Sequence, residues 1–384
     1  MASNRQAADA QDVLRMKPGP HPVVSCYLKL EPRDRTRKKY LVKARNRIKA
    51  LEYALPSLGW DKRGQDAVRA DLARILDFLS DEAMLPDAQG IAIFACQAMK
   101  MFQVRPLPRV HRSRLAVDRT PLVRELAASE AEFGRLFTVT LDRTFALIWE
   151  VTATETKMVQ KVTWKITRGG RYHAAGGRGD ATGEYSFHNR IRDARRRHLE
   201  GVAHALFELD RKSPGHQIVL AASGSDAAAL EPFLHNYLAD RLIGIAKLGP
   251  KDATPAVVQR LTMEVHVRHA QLSEERHIEE LAEGLGTSWA VNGVRETLKA
   301  LSHGQVRLLL VRGDAVMPGF RSMKTGRLST LARDLRADGE VIPTLDVIDD
   351  AIEEALRQRV ALDVMYDVEH ADAVDGLAGL LRFK

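Results

Sequence analysis

The feature that most constrains this chain is an alternation that runs nearly its whole length. Short apolar runs rich in β-branched residues are followed by segments whose apolar residues recur at helical spacing. VVSCYLKL from Val23, GIAIFAC from Gly90, HQIVLAAS from His216, VRLLLV from Val306 and VALDVMYD from Val360 have the length and composition of strands. Between them, Leu41, Ala44, Ile48, Leu51 and Leu55 share one helical stripe. Val68, Leu72, Ile75 and Leu79 share another, and Leu345, Ile348, Ile352, Ala355 and Leu356 a third, each predicted to face a core. Strands that alternate with helices are covered by them on their faces, so the expected fold is α/β with mostly buried sheets. A chain of 384 residues is long for one core. The runs divide it into three consecutive α/β domains, 1–133, 134–287 and 288–384, with breaks after the helix TPLVRELAAS and after a helical run from about Thr254 that closes at Gly286.

Charge then narrows the partners. The net charge is +8, which favours an acidic one, nucleic acid or an anionic surface. It is unevenly spread: residues 33–49 hold nine Lys or Arg against one Asp, and residues 338–375 hold twelve Asp or Glu against two Arg. A basic front and an acidic rear imply different partners for the two ends. The first twenty residues carry no apolar core of a signal peptide, and no run approaches the roughly 18 apolar residues of a membrane span. Cys26 and Cys96, the only cysteines, each sit in an apolar run. They read as packed core thiols in a reducing cytoplasm.

The least ordinary stretch is GGRGDATGEYSFHNRIRDARRRH, residues 176–198, where a glycine-loaded loop runs into an arginine-rich helix expected from about Phe187 to Leu209. The loop lacks the lysine-containing phosphate-binding pattern, and Gly177, Gly179 and Thr182 miss the dinucleotide pattern at its last position. No nucleophile and base are paired in sequence, and no cofactor is expected. His266, His269 and Glu264 lie close in sequence, but His277 falls about 16 Å further along a helix, so these are expected to be solvated helix histidines and no metal. The acids Asp346, Asp349, Asp350, Glu353 and Glu354 suit a helix start, where the dipole favours the first three, with the rest forming a wet face. Arg190, Arg192, Arg195, Arg196 and Arg197 flank a seam of Ile191, Ala194, His198, Val202, Ala205 and Leu209, with only Asp193 among them. Such guanidinium groups repel one another and invite phosphate, as do Lys43, Arg45, Arg47 and Lys49 on the first long helix.

Laid end to end, VVSCYL, ARNRIKAL, PDAQGIAIFA, RPLPRVHRSRLAVDRTPLVREL, LFTVTLDRTFALIWEV, HNRIRDARRRHLEGVAHAL, HQIVLAAS and DGLAGLLRF resemble, in order, the archaeal and eukaryotic class-one release factors and Pelota. The resemblance is strongest to bacterial relatives of that superfamily. It implies a basic N-domain, an RNase-H-like middle domain and a C-domain like an RNA-binding ribosomal protein. It also implies a middle-domain loop that carries Gly-Gly-Gln into the peptidyl-transferase centre, ahead of a basic helix ending in Arg-His, here Arg197-His198. The family spacing lands on Thr182-Gly183-Glu184, and a longer loop offers Gly176-Gly177-Arg178 beside Gly179, yet residues 161–200 contain no glutamine. The codon-reading tetrapeptide also has no clear counterpart.

The expected function is therefore a cytoplasmic ribosome-binding factor that enters the A site in rescue or hibernation, touching ribosomal RNA and peptidyl-tRNA. A translational GTPase would be its partner by family analogy. One alternative is a peptidyl-tRNA hydrolase in which backbone amides position water and Glu184 acts as base. Others are a non-ribosomal RNA-binding protein, or a nuclease that would need Asp142 and Glu150 brought together.

Overall fold

The computed structural model describes Met16 and residues 19–153, 155–163 and 181–384. Its first segment is a four-stranded antiparallel sheet of order β3-β2-β1-β4, from β1 (Val23–Lys29), β2 (Gly90–Cys96), β3 (Met101–Leu107) and β4 (Arg114–Asp118). Helices α1 (Pro32–Thr36), α2 (Lys39–Ala54) and α3 (Lys62–Ser80) follow β1, and α4 (Arg124–Phe133) follows β4. The first long helix starts only at Lys39, because Lys38 takes a left-handed backbone (φ 48°) that separates it from α1. Alternation along β1 sends Val24, Cys26 and Leu28 to the side where Leu41, Ile48, Leu72 and Ile75 pack. Cys26 and Cys96 are both buried in this sheet as free thiols.

The chain continues into a five-stranded sheet of order β7-β6-β5-β8-β9. Its strands are β5 (Leu136–Leu141), β6 (Phe145–Val151), β7 (Thr156–Thr163), β8 (Gln217–Ala222) and β9 (Leu242–Ala246). β5 is antiparallel to β6 but parallel to β8. The 32-residue α5 (Ala181–Lys212) buries Leu199, Val202 and Leu206 against Phe137, Val139 and Ile218. On the other face, Leu136, Trp149 and Val219 meet Val258 and Leu261 of the long helix α8 (Pro255–Thr287), with Thr138 and Thr262 hydroxyls 2.6 Å apart. The segment DAAALEPFLHNYLADRL, whose apolar residues run on at helical spacing, breaks into α6 (Asp226–Leu230), a single turn at Glu231–Phe233 and α7 (Asn236–Ala239). Pro232 explains the break, since it lacks an N–H and restricts the residue before it.

The last segment holds a second four-stranded sheet, β10-β16-β11-β15, from β10 (Ala290–Asn292), β11 (Val306–Arg312), β15 (Ala361–Met365) and β16 (Leu377–Leu381). A small sheet, β13-β12-β14, is built from β12 (Gly319–Ser322), β13 (Leu328–Ser329) and β14 (Val341–Thr344), with helices α9 (Val294–Ser302), α10 (Val347–Arg357) and α11 (Val368–Ala371). Leu345 is 43% exposed and not in the core as its stripe predicted, because α10 begins after the N-cap Asp346 and Val347 takes the inward place.

By compactness the chain forms two units, one of residues 1–132 with 273–384, the other of residues 133–272. The first unit has a physical basis in β1 and β2. Tyr27, Ala92 and Phe94 point away from α2 and α3 into one cluster with Leu298, Val347, Ile348 and Ile352 of the last segment. The first sheet therefore has its second face covered by residues more than 200 positions later. Among the described residues, no helix is long and apolar enough to cross a membrane.

Candidate functional site

The arginine-bearing helix is longer than its sequence pattern predicted. α5 begins at Ala181, so Thr182, Gly183 and Glu184 lie in its first turn instead of in the preceding loop. Gly176, Gly177, Arg178 and Gly179 lie outside the described residues, as do the side chains of Thr182, Glu184 and Arg190. Arg192, Arg195, Arg196 and Arg197 are all exposed, while His198, Leu199, Val202 and Leu206 on the opposite side are buried. The helix is thus anchored along one stripe and presents cations along the other.

These arginines have more acceptors than the neighbouring sequence showed. Arg195 Nη2 donates to Asp226 Oδ1 at 2.6 Å, and Arg196 Nε donates to Glu200 Oε1 at 2.8 Å. Arg192 donates to Asn189 Oδ1. The expectation that only Asp193 offsets them is corrected, since Asp226 arrives from the start of α6 through the fold. Both ion pairs are exposed on the arginine side, 42% for Arg195 and 70% for Arg196, and such pairs are weak enough for phosphate to displace. Arg197 is exposed as well.

His198 behaves differently from its arginine neighbours. It is 1% exposed, its Nε2 lies 3.1 Å from the Asp142 carbonyl, and burial holds its pKa below the usual imidazole range. Asp142 itself closes the β5–β6 turn. Its Oδ1 accepts from Thr144 N and Oγ1, both at 2.7 Å, and from Phe145 N at 3.0 Å. Burial alone would raise this carboxyl, but those hydrogen bonds outweigh it and hold it low. Glu150 is opposite Phe137 at the other end of the strand pair, 3.5 Å from His216 Nε2. The two carboxylates that a nuclease would need are not brought together.

The second basic set stands on α2 in the other unit. Lys43, Arg45 and Lys49 are exposed, and Arg47 is half-buried with Nη1 3.5 Å from the Lys43 carbonyl. Tyr53, on the last turn of the same helix, is 91% exposed.

Two expectations fail on burial. His266 is 3% exposed and His277 is half-buried with Nδ1 2.7 Å from Asp363 Oδ2, so they are not solvated helix histidines. Val258, Leu261 and Val265 of α8 pack on the five-stranded sheet, and Ile278 and Leu281 pack in the core of the last segment. Among the described residues, no three His, Cys, Asp or Glu side chains are grouped so as to hold a metal ion. Glu353, expected on a wet face, is buried, while Asp346, Asp349 and Asp350 do open α10 as a helix start but are also under 9% exposed. Asp349 accepts from the backbone N–H of Val123 and Arg124 at 2.9 Å each, and Asp346 Oδ2 accepts from Arg124 Nη2 at 2.8 Å. Arg321 Nη2 donates to Asp350 at 2.6 Å and to Glu353 at 2.7 Å. The partner of these acids is the chain's own first segment and β12.

Sequence reading overlooked Arg124, the largest side chain in the protein with no exposure at all. The available signal was four acids at positions 346, 349, 350 and 353, which share one side of a helix whose opposite side is apolar. Periodicity alone reads that side as solvated.

The fold and the basic helices define a multidomain α/β protein with cationic faces. Residues 121–267 match the family model described as bacterial archaeo-eukaryotic release factor family 10. Over that segment the chain is similar to a bacterial family of the archaeo-eukaryotic release factors. No curated protein matches. Among solved structures, an archaeal translation termination factor, aRF1, is 15% identical, with 99% of this chain and 98% of that one covered and a TM-score of 0.26. Archaeoglobus fulgidus Pelota is 13% identical over 77% of this chain and 79% of its own, with a TM-score of 0.30. S. cerevisiae Dom34, a translation termination-like factor, is 12% identical over the same shares, with a TM-score of 0.39.

Proposed function

We propose that this protein is a ribosome-binding translation factor that occupies the A site, in rescue of stalled ribosomes or in protection of idle ones, without Gly-Gly-Gln chemistry. The observation that carries the reading is α5, where a row of exposed arginines is held rigidly by a buried seam inside the segment that matches a release factor family. Guanidinium groups on a rigid element suit the phosphates of a structured RNA. Lys43, Arg45, Arg47 and Lys49 on α2 form a second RNA contact in this reading. The domains are 1–133, 134–287 and 288–384, and the middle one is RNase-H-like, which the three antiparallel strands continued by two parallel ones support. The C-domain is ribosomal-protein-like. Its partner of choice is a translational GTPase, met through surfaces other than the buried acids of α10. Ribosomal RNA and peptidyl-tRNA complete the partners, in the cytoplasm.

The test is the salt dependence of binding to purified ribosomes. Each lost phosphate contact removes roughly 0.7–0.9 from the log–log slope, so an Arg195→Gln, Arg196→Gln, Arg197→Gln variant should flatten it by about two. An unchanged affinity and slope would remove the support that α5 lends. Added to ribosomes that hold peptidyl-tRNA, the protein should leave the ester intact. Release that disappears with Glu184→Ala would replace this reading with the hydrolase.

A further inference from the structure

The last turns of α8 meet the last segment through polar contacts on successive turns. Glu274 Oε2 lies 3.1 Å from His370 Nδ1 on α11, and Arg307 of β11 donates to Glu280 at 2.6 Å. His277 stands between these two pins on the same helix, with Ile278 and Leu281 packed beside it in the core of the last segment. Its Nδ1 lies 2.7 Å from Asp363 Oδ2 on β15. Its Nε2 lies 3.5 Å from the Ser273 hydroxyl, one turn earlier on α8. All of these residues belong to the first unit.

A serine and a histidine four positions apart on a helix meet as a matter of geometry. What sets this pair apart is Asp363, which sequence spacing could not show because it lies 86 positions from His277. A carboxylate only accepts, so the ring proton of His277 sits on Nδ1 and points at Asp363. Nε2 is then a bare acceptor, and it faces the Ser273 hydroxyl. Nucleophile, base and orienting carboxylate stand in the order that activates a serine, although the sequence paired no nucleophile with a base. Ser273 and His277 are half-buried and reachable from solvent. A separation of 3.5 Å is long, and such contacts tighten once a reacting group is bound. The amide groups around Ser273 are engaged within α8, so no backbone donors are left to hold an oxyanion. That restricts the serine to acyl groups that are already activated.

We propose that Ser273 is an acyl-accepting nucleophile, with His277 as its base and Asp363 as the residue that positions the ring, and that its donors are activated esters, thioesters or aryl esters. Ser273 Oγ attacks the carbonyl carbon while its proton passes to His277 Nε2. The new Oγ–C bond replaces the bond to the leaving thiol or phenol, which departs with the proton from the imidazolium. Nothing is oxidised or reduced, and the chain is left with an O-acyl serine on α8. Glu274 and Glu280 on the same helix, His370 on α11 and Arg307 on β11 hold the helix in place around the site.

Acetylation of the full chain by p-nitrophenyl acetate at pH 7.5, followed site by site with peptide mass spectrometry, reads the serine directly. Ser80 and Ser302, whose hydroxyls donate to the helix carbonyls of Leu76 and Lys299, are controls within the same molecule. Ser273 should take up acetyl roughly 100-fold faster than either, the lower end of what a general base contributes. His277→Gln should bring Ser273 down to their rate. Asp363→Asn should lower it several-fold, and Asp363→Glu, which keeps a carboxylate, should restore most of it. Ser273 acetylated no faster than the controls would overturn the proposal, and that comparison needs no variant. So would a Ser273 rate unchanged by His277→Gln, or acetyl that stays on the His277 ring. An Asp363→Asn variant as fast as the natural protein would overturn the role given to Asp363.

Discussion

At the scale of single residues, the energetic weight falls on charges that left water. Arg124 has no exposed surface, and its guanidinium is shared between Asp346 and two backbone carbonyls. Arg124→Ala would strand Asp346 in the interior. Removing one partner of a buried pair costs about 3–5 kcal/mol, so urea unfolding of the first unit should show a loss of that size. A loss under 1 kcal/mol would mean that water reaches the site. His198 carries the opposite lesson for the second unit. Although it adjoins the arginines in sequence, it is buried against the Asp142 carbonyl, and His198→Ala should cost about 1–3 kcal/mol of stability while leaving the salt slope of RNA binding unchanged. A flattened slope in that variant would assign His198 to the interface.

At the scale of elements, α5 offers a clean test of helix energetics. Gly201 sits in its middle, with normal φ and nothing within 4 Å of where a Cβ would be. Gly201→Ala should therefore stabilise the second unit by about 0.5–1 kcal/mol, visible as a raised melting temperature. A lowered one would show an unseen contact at that position. The elements themselves were largely legible, because β1, β2, α3 and the seam of α5 obey simple periods. Val68, Leu72, Ile75 and Leu79 are all completely buried, as their spacing predicts. What failed was what spacing cannot encode. Pro232 broke a helix whose apolar pattern runs on, and Asp349 was buried against a segment some 225 residues away. At the candidate site, the arginines were visible in the sequence, whereas Asp226 as a partner of Arg195 exists only in three dimensions.

At the scale of the whole molecule, the two units should answer acid in opposite ways. Asp349 and Asp350 in the first are raised by burial to about 7 and about 6, so that unit gains stability as the pH falls toward 5. His198 and His216 in the second are held low by burial, so the unfolded unit takes up protons first, and its stability is lost as the pH falls below about 6.5. Calorimetry at pH 7.5 and 5.5 should show one transition moving up and another moving down. Two transitions shifting together would contradict the division of buried titrating groups between the units.

The cover on the first sheet has a consequence for synthesis. The strands that place Tyr27 and Phe94 leave the translating ribosome well before α9 and α10, which pack over them, because residues 133–272 come between. At about 5–20 residues per second, that interval is on the order of ten seconds. Throughout it, one face of the nascent sheet stays greasy and Arg124 lacks its acids. The inserted unit, contiguous in the chain, can finish first. A chaperone that binds apolar strands during elongation should therefore dwell on the early segment and depart only when the final hundred residues emerge.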